Sequence, residues 1–187
     1  YLSDIIDSIV SHTPLDITYR TYKGVETSAI LHPYYIKQFN NRWFLFGIEE
    51  NEKYTNDITV KALDRIVRFT PVADVEFIPN TNIDFKLFFK DIVGVTIPKE
   101  HPEPEEIVLK FDEKRFPYIV SKPIHQTQEV IDEAEHTIGI FVRPNKELEA
   151  QIFSYGPQVE VLQPIWLRDE ISNKIKETLK KYYTNAE

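Results

Sequence analysis

The 187-residue sequence predicts an α+β protein built from two small domains, and three observations predict it. Short strand patterns fill residues 17–69, with few helical signals between them. Three prolines then fall within the eight residues Ile97–Pro104. Beyond them, strand and helix patterns interleave. The first block suggests a small, strongly bent sheet or barrel, and the last a two-layer α+β domain. The expected boundaries are 1–75 for the first domain, 76–104 for a short helix and Pro-rich linker, and 105–187 for the second domain.

Leu2, Ile5, Ile6, Ile9 and Val10 recur at helical spacing, so a short amphipathic helix opens the chain, and His12-Thr13-Pro14 ends it. From Ile17 the pattern becomes β: Ile17–Arg20, a turn at Lys23-Gly24, then Thr27–Leu31. A third strand is expected over Arg42–Ile48, between the turn residues Asn40-Asn41 and the polar run Glu49–Asn51. Ile58–Ala62 and Ile66–Phe69 read as further strands. Asp84–Phe89 reads as a short helix ending near Gly94, followed by the proline-rich stretch, which can extend neither helix nor ladder. Period-two patterns return at Ile107, Leu109, Phe111 and at Ile138, Ile140, Val142. Asn145 is a good N-cap for a helix with apolar Leu148, Ile152 and Phe153, and Gly156-Pro157 stops it. Val159 and Val161 mark a last strand. Leu167, Ile171, Ile175 and Leu179, each four apart, mark a terminal helix. The order expected is βαββαβ plus that helix.

Hydrophobic content of 42% and charged content of 28% are those of a folded globular chain. With no cysteine, disulfides, thiol nucleophiles and thiolate metal sites are excluded, which fits a reducing cytosol. No apolar run approaches the roughly 20 residues of a membrane span, and the first residues do not form a signal peptide. The net charge of −8 argues against a general nucleic-acid binder. Residues 1–75 are nearly balanced, with 8 Lys/Arg against 10 Asp/Glu, and leave room for a local basic site. The chain starts at Tyr1 and contains no methionine, so a preceding N-terminal module is expected.

Catalytic signatures are missing. The five glycines are isolated, so none forms a phosphate-cradling loop. Ser154 lacks the leading glycine of a nucleophile elbow, and the five histidines have no metal-binding spacing. Acidic pairs such as Glu105-Glu106 sit in turns or linkers, where neighbouring carboxylates point apart rather than share a cleft. No enzyme, metal or cofactor is expected.

The strand Arg42-Trp43-Phe44-Leu45-Phe46-Gly47 resembles the Trp-Tyr-Leu element that defines the WYL family of bacterial transcription regulators, with Phe44 in the tyrosine place. Ile17–Arg20, His32-Pro33-Tyr34-Tyr35 and Leu63-Asp64-Arg65-Ile66 resemble the family's flanking elements, in the same order. Ile107–Phe111, Pro117-Tyr118, Pro123–His125 and Asn145–Pro164 resemble its C-terminal extension. The resemblance implies an Sm-like, SH3-type β-barrel followed by a ferredoxin-like α/β domain. It also implies a homodimer, and DNA binding through an N-terminal helix-turn-helix. The implied role is to sense a nucleotide, oligonucleotide or other anionic effector; the alternative is a dimerisation or protein-interaction module that senses nothing.

Within the Trp strand, alternation puts Trp43 and Leu45 on one face and Phe44 and Phe46 on the other. Both faces are apolar, so the strand reads as buried on both sides, with Trp43 keeping a free edge. Phe44 removes the hydroxyl a tyrosine would offer a ligand. Arg65 is the leading candidate for ligand contact, since a guanidinium suits phosphate or carboxylate; the alternative is an internal salt bridge to Asp64. Tyr19, Arg20, His32 and Lys61 would complete an aromatic and cationic pocket that stacks bases and neutralises phosphates, or else serve as surface and structural residues.

Overall fold

The computed structural model describes residues 1–50, 58–98 and 100–183. Asn51 and Lys99, expected in a turn and in the linker, lie outside the described residues. The chain forms two compact units, Tyr1–Phe85 and Lys86–Glu187. It is an α+β protein with two antiparallel sheets.

Helix α1 (Leu2–Val10) opens the first unit and buries Ile5 against the sheet's core. The strands are β1 (Leu15–Arg20), β2 (Glu26–Phe39), β3 (Arg42–Glu49), β4 (Thr59–Ala62) and β5 (Ile66–Pro71), with a 3-10 turn over Leu63–Arg65 between the last two. They pair in the order β4-β3-β2-β1-β5, so β4 and β5 are the sheet's edges and no closed barrel forms among the described residues. Leu15, Ile17, Leu31, Leu45 and Ile66 form the core of one side with Ile5. The core explains the tolerance of alternation here: Leu45 faces it, while the next residue, Phe46, is equally buried on the opposite face near Tyr35 and Phe85.

Strand β2 departs from expectation. The sequence places its end at Leu31 and a separate entry segment at His32–Tyr35, whereas one strand runs on to Phe39. Pro33 has no N–H to donate, and the ladder to β3 is irregular between Pro33 and Tyr35, a bulge that bends the strand instead of ending it. Opposite Pro33 stands Gly47, where a Cβ would run into the carbonyl oxygen of His32. Only glycine allows the two strands to approach this closely.

The second unit follows α2 (Phe85–Phe88), which begins on the last residue of the first. Its elements are β6 (Glu105–Phe111), α3 (Phe116–Ser121), β7 (Glu129–Asp132), β8 (Thr137–Val142), α4 (Lys146–Ser154), β9 (Val159–Gln163) and α5 (Ile165–Tyr183). This is the expected βαββαβ order with a terminal helix. The sheet order is β7-β8-β6-β9, which puts β6 and β8 in the centre. Sequence reading located neither α3 nor β7. The first is six residues long with Pro117 in its first turn, and the second is four residues, all exposed. Neither length carries a readable period.

Asn145 caps α4 as expected, its side chain accepting from the Leu148 N–H at 2.9 Å. Gly156 adopts the left-handed φ of +57° that stops the helix. On α5, Leu167 and Ile171 enter the core, whereas Ile175 and Leu179 of the same stripe are about half exposed. No helix among the described residues is long and apolar enough to cross a membrane.

Candidate functional site

The candidate residues fall into separate groups, because Tyr19 and Arg20 are neighbours on β1 and point to opposite faces. Tyr19 packs against the first unit's core, and its hydroxyl accepts from the Ala62 N–H at 3.4 Å. The Lys61 ammonium lies 4.7 Å from the centre of the Tyr19 ring and pairs with Glu49 at 2.6 Å. This half-buried trio neutralises its own charge. Trp43 is half-buried on β3, opposite Gln38 of β2.

His32 is fully buried. Its Nδ1 accepts from the Ile78 N–H at 3.0 Å, so the proton must sit on Nε2, which donates to Glu50 at 3.1 Å. The Tyr34 hydroxyl donates to the Ile78 carbonyl at 2.8 Å, and Phe77 meets His12, His32 and Tyr34 ring to ring. His32 thus ties the chain after β5 to β2, with both ring nitrogens engaged.

Arg65 and Arg20 come together on the other side, around a depression of about 210 Å³ that Thr21, Asp64, Ile66 and Val67 complete. Arg20 is paired: its Nε and Nη2 reach the same Glu26 oxygen at 3.0 and 2.7 Å. Arg65 is not paired with Asp64. That carboxylate takes Arg42 instead, at 2.8 and 2.9 Å from Nη2. Hydrogen bonding to Asp64, chiefly, and to the Tyr22 hydroxyl holds the Arg42 pKa above its ordinary value. Arg65 lies over the Tyr22 ring, its guanidinium carbon 3.1 Å from the ring centre, and has no carboxylate partner among the described residues. Tyr22 itself is 85% exposed.

Sequence reasoning missed Tyr22 and Arg42. Tyr22 stands just before the Lys23-Gly24 turn of the β1–β2 hairpin, closed by a Gly24 N–H to Thr21 carbonyl bond at 3.0 Å. A large aromatic at a hairpin tip, where nothing can bury it, was the available signal. Arg42 opens β3 and reads as a strand-end charge; only the fold brings it to Asp64. The group as assembled offers one unpaired guanidinium, two neutralised ones and an exposed aromatic face. Such a group can hold an anion and stack a planar ring.

A five-stranded antiparallel sheet carrying Arg20, Arg65 and Tyr22 together, followed by a βαββαβ unit, defines a two-module α+β protein. The WYL domain family model matches residues 1–71, and the WCX domain model matches residues 103–179. The chain thus carries a WYL domain followed by a WCX domain. Among solved structures, proteasome accessory factor B/C (PafBC) of Arthrobacter aurescens is 17% identical with a TM-score of 0.42, over 91% of this chain and 25% of that one. The crystal structure of a CRISPR Cas-related protein is 11% identical with a TM-score of 0.55, over 100% of this chain and 52% of that one. The latter likeness is one of fold. The chain thus spans a quarter of the first and about half of the second. A comparison with curated proteins found no match.

Proposed function

We propose that the chain is the ligand-sensing regulatory module of a cytoplasmic, DNA-binding transcription regulator, and that it senses an anionic, base-bearing effector such as a nucleotide or short oligonucleotide. In this reading residues 1–75 form an Sm-like WYL domain, 76–104 a connection, and 105–187 a ferredoxin-like extension; DNA is bound by a separate N-terminal helix-turn-helix. The strand order β4-β3-β2-β1-β5, with a single 3-10 turn between the edge strands, supports the Sm-like description. The βαββαβ order supports the ferredoxin-like one. In this reading the module binds rather than catalyses.

One observation carries the proposal. Arg65 is unpaired by any carboxylate among the described residues and stacked on an exposed Tyr22, while Arg42 and Arg20 beside it are each neutralised. A guanidinium lying on an aromatic ring keeps its edge donors for phosphate, and the ring's surroundings accept a base. Fluorescence anisotropy with labelled single-stranded oligonucleotides, and competition by mononucleotides, tests it. Arg65→Ala should weaken binding at least tenfold and reduce its salt dependence. Equal binding by wild type and Arg65→Ala, or none by either, overturns the effector assignment.

A homodimer is part of the same proposal, and an interaction module is the second reading. Both rest on the second unit's apolar groove of about 270 Å³, lined by Ile152, Phe153, Val159 and Ile175, next to the exposed Leu179. A second copy of this chain is the proposed occupant. Sedimentation of wild type against Ile175→Glu/Leu179→Glu decides: a monomeric wild type, or a variant that dimerises equally well, removes the claim.

A further inference from the structure

We infer that the second unit holds a separate binding site for a small organic amine, in the cavity lined by Ile97, Pro98, Glu100 and His101, the start of α4 and the first half of α5. The cavity measures about 380 Å³, within the range of small-molecule pockets, roughly 300–1,000 Å³. It lies in a different unit from Arg65 and does not depend on the effector proposed there.

Its two ends differ in chemistry. At one end the Trp166 ring lies flat on His101, with centres 3.8 Å apart and planes 3° from parallel. The indole N–H is already donated to Glu105 at 3.2 Å and one ring face is covered by His101, so Trp166 offers the cavity apolar contact rather than a donor. Ile97, Pro98 and Leu167 extend this apolar wall. At the other end Lys174 is held between two carboxylates, 2.7 Å from Glu149 Oε2 and 2.6 Å from Glu170 Oε1. One ammonium serves two negative charges. Among the described residues that line the cavity, three carboxylates, Glu100, Glu149 and Glu170, face two ammonium groups, Lys146 and Lys174. With Lys174 shared between Glu149 and Glu170, this end of the cavity favours a cation over an anion.

A molecule with an ammonium head and a planar or apolar body fits both ends. Its ammonium shares the Glu149 and Glu170 oxygens with Lys174, each carboxylate oxygen having lone pairs to spare. Its body lies along the Trp166 side of the cavity. The neutral counterpart keeps the apolar contacts but loses the charge-assisted bonds, and the acidic counterpart meets like charge. Selectivity should therefore run amine, then alcohol, then acid.

The chain has two tryptophans, so Trp43→Phe leaves Trp166 as its sole indole reporter. Titration of that protein with phenethylamine, phenethyl alcohol and phenylacetate, followed by Trp166 emission, is the test. Phenethylamine should produce a saturating change at least tenfold tighter than the alcohol, with no saturation by phenylacetate. Glu149→Gln/Glu170→Gln should weaken the amine at least tenfold, and Arg65→Ala should leave it unchanged. Equal affinity for all three compounds, no saturation by the amine, or amine binding that survives the double substitution overturns the site. If the double variant does not fold, the comparison of the three compounds on the intact protein decides alone.

Discussion

Arg65 and Tyr22 form a face-on stack at the tip of the β1–β2 hairpin, 3.1 Å from guanidinium carbon to ring centre. The tyrosine, at 85% exposure, gains little from burial there, so its ring is placed for Arg65 and for whatever binds. Tyr22→Ala should weaken oligonucleotide binding about five- to 150-fold by anisotropy, whereas Tyr22→Phe keeps the ring and should stay within about twofold. This follows from base and cation stacking on an aromatic face, about 1–3 kcal/mol by alanine substitution.

Asp64 withholds Arg42 from that same group. Asp64→Asn removes the carboxylate charge and frees a second guanidinium. Affinity for a single-stranded oligonucleotide should rise several-fold, with a steeper loss on adding salt. The pair is largely exposed, so the melting midpoint in urea should move little, about 1 kcal/mol or less. A variant that binds more weakly would place Asp64 in contact with the ligand instead.

His32 answers to a different measurement. His32→Ala leaves a cavity, an Ile78 N–H without its acceptor and a Glu50 without its donor. The cost should be about 2–4 kcal/mol of unfolding free energy. Amide exchange at Ile78 should accelerate well beyond that at Leu45, since the tie is local. Oligonucleotide affinity of the folded fraction should not change.

Asn145 does two jobs that can be separated. Its Oδ1 caps α4, while its Nδ2 donates to the carbonyls of Val93 at 2.7 Å and Thr96 at 3.0 Å. Asn145→Asp keeps the acceptor and loses both donor bonds; Asn145→Ala loses everything. The alanine variant should lose about 2–3 kcal/mol, and the aspartate variant an intermediate amount, in urea denaturation. Equal losses would mean that the cap contributes nothing.

Gly47 is fixed by a single close approach. Gly47→Ala drives a methyl group into the His32 carbonyl, and β2 and β3 must separate. A loss of about 1–3 kcal/mol or more is expected, read from the thermal midpoint.

How far the sequence was legible follows from what each element depends on. β3 and β8 were readable because each carries its own apolar pattern, and α4 because Asn145 and Gly156 mark its two ends. β2 was misread at Pro33 because a bulge is a relation to Gly47 on another strand, invisible in the local run. α3 and β7 are too short to show a period. Arg65 was legible as a candidate, but its freedom was not: whether Asp64 pairs with Arg65 or Arg42 depends on how the turn after β4 meets the start of β3. Tyr22 was marked only by its place beside the Lys23-Gly24 turn.

Two of the four edge strands, β4 and β7, are each four residues long. Lys61 stands near the middle of the first, and Glu129 and Asp132 close the two ends of the second. Short, charged borders of this kind offer a neighbouring molecule too little unpaired backbone to extend the sheet. The protein can therefore be crowded with its own kind, at the concentrations spectroscopy or crystallisation needs, without these borders seeding fibrils.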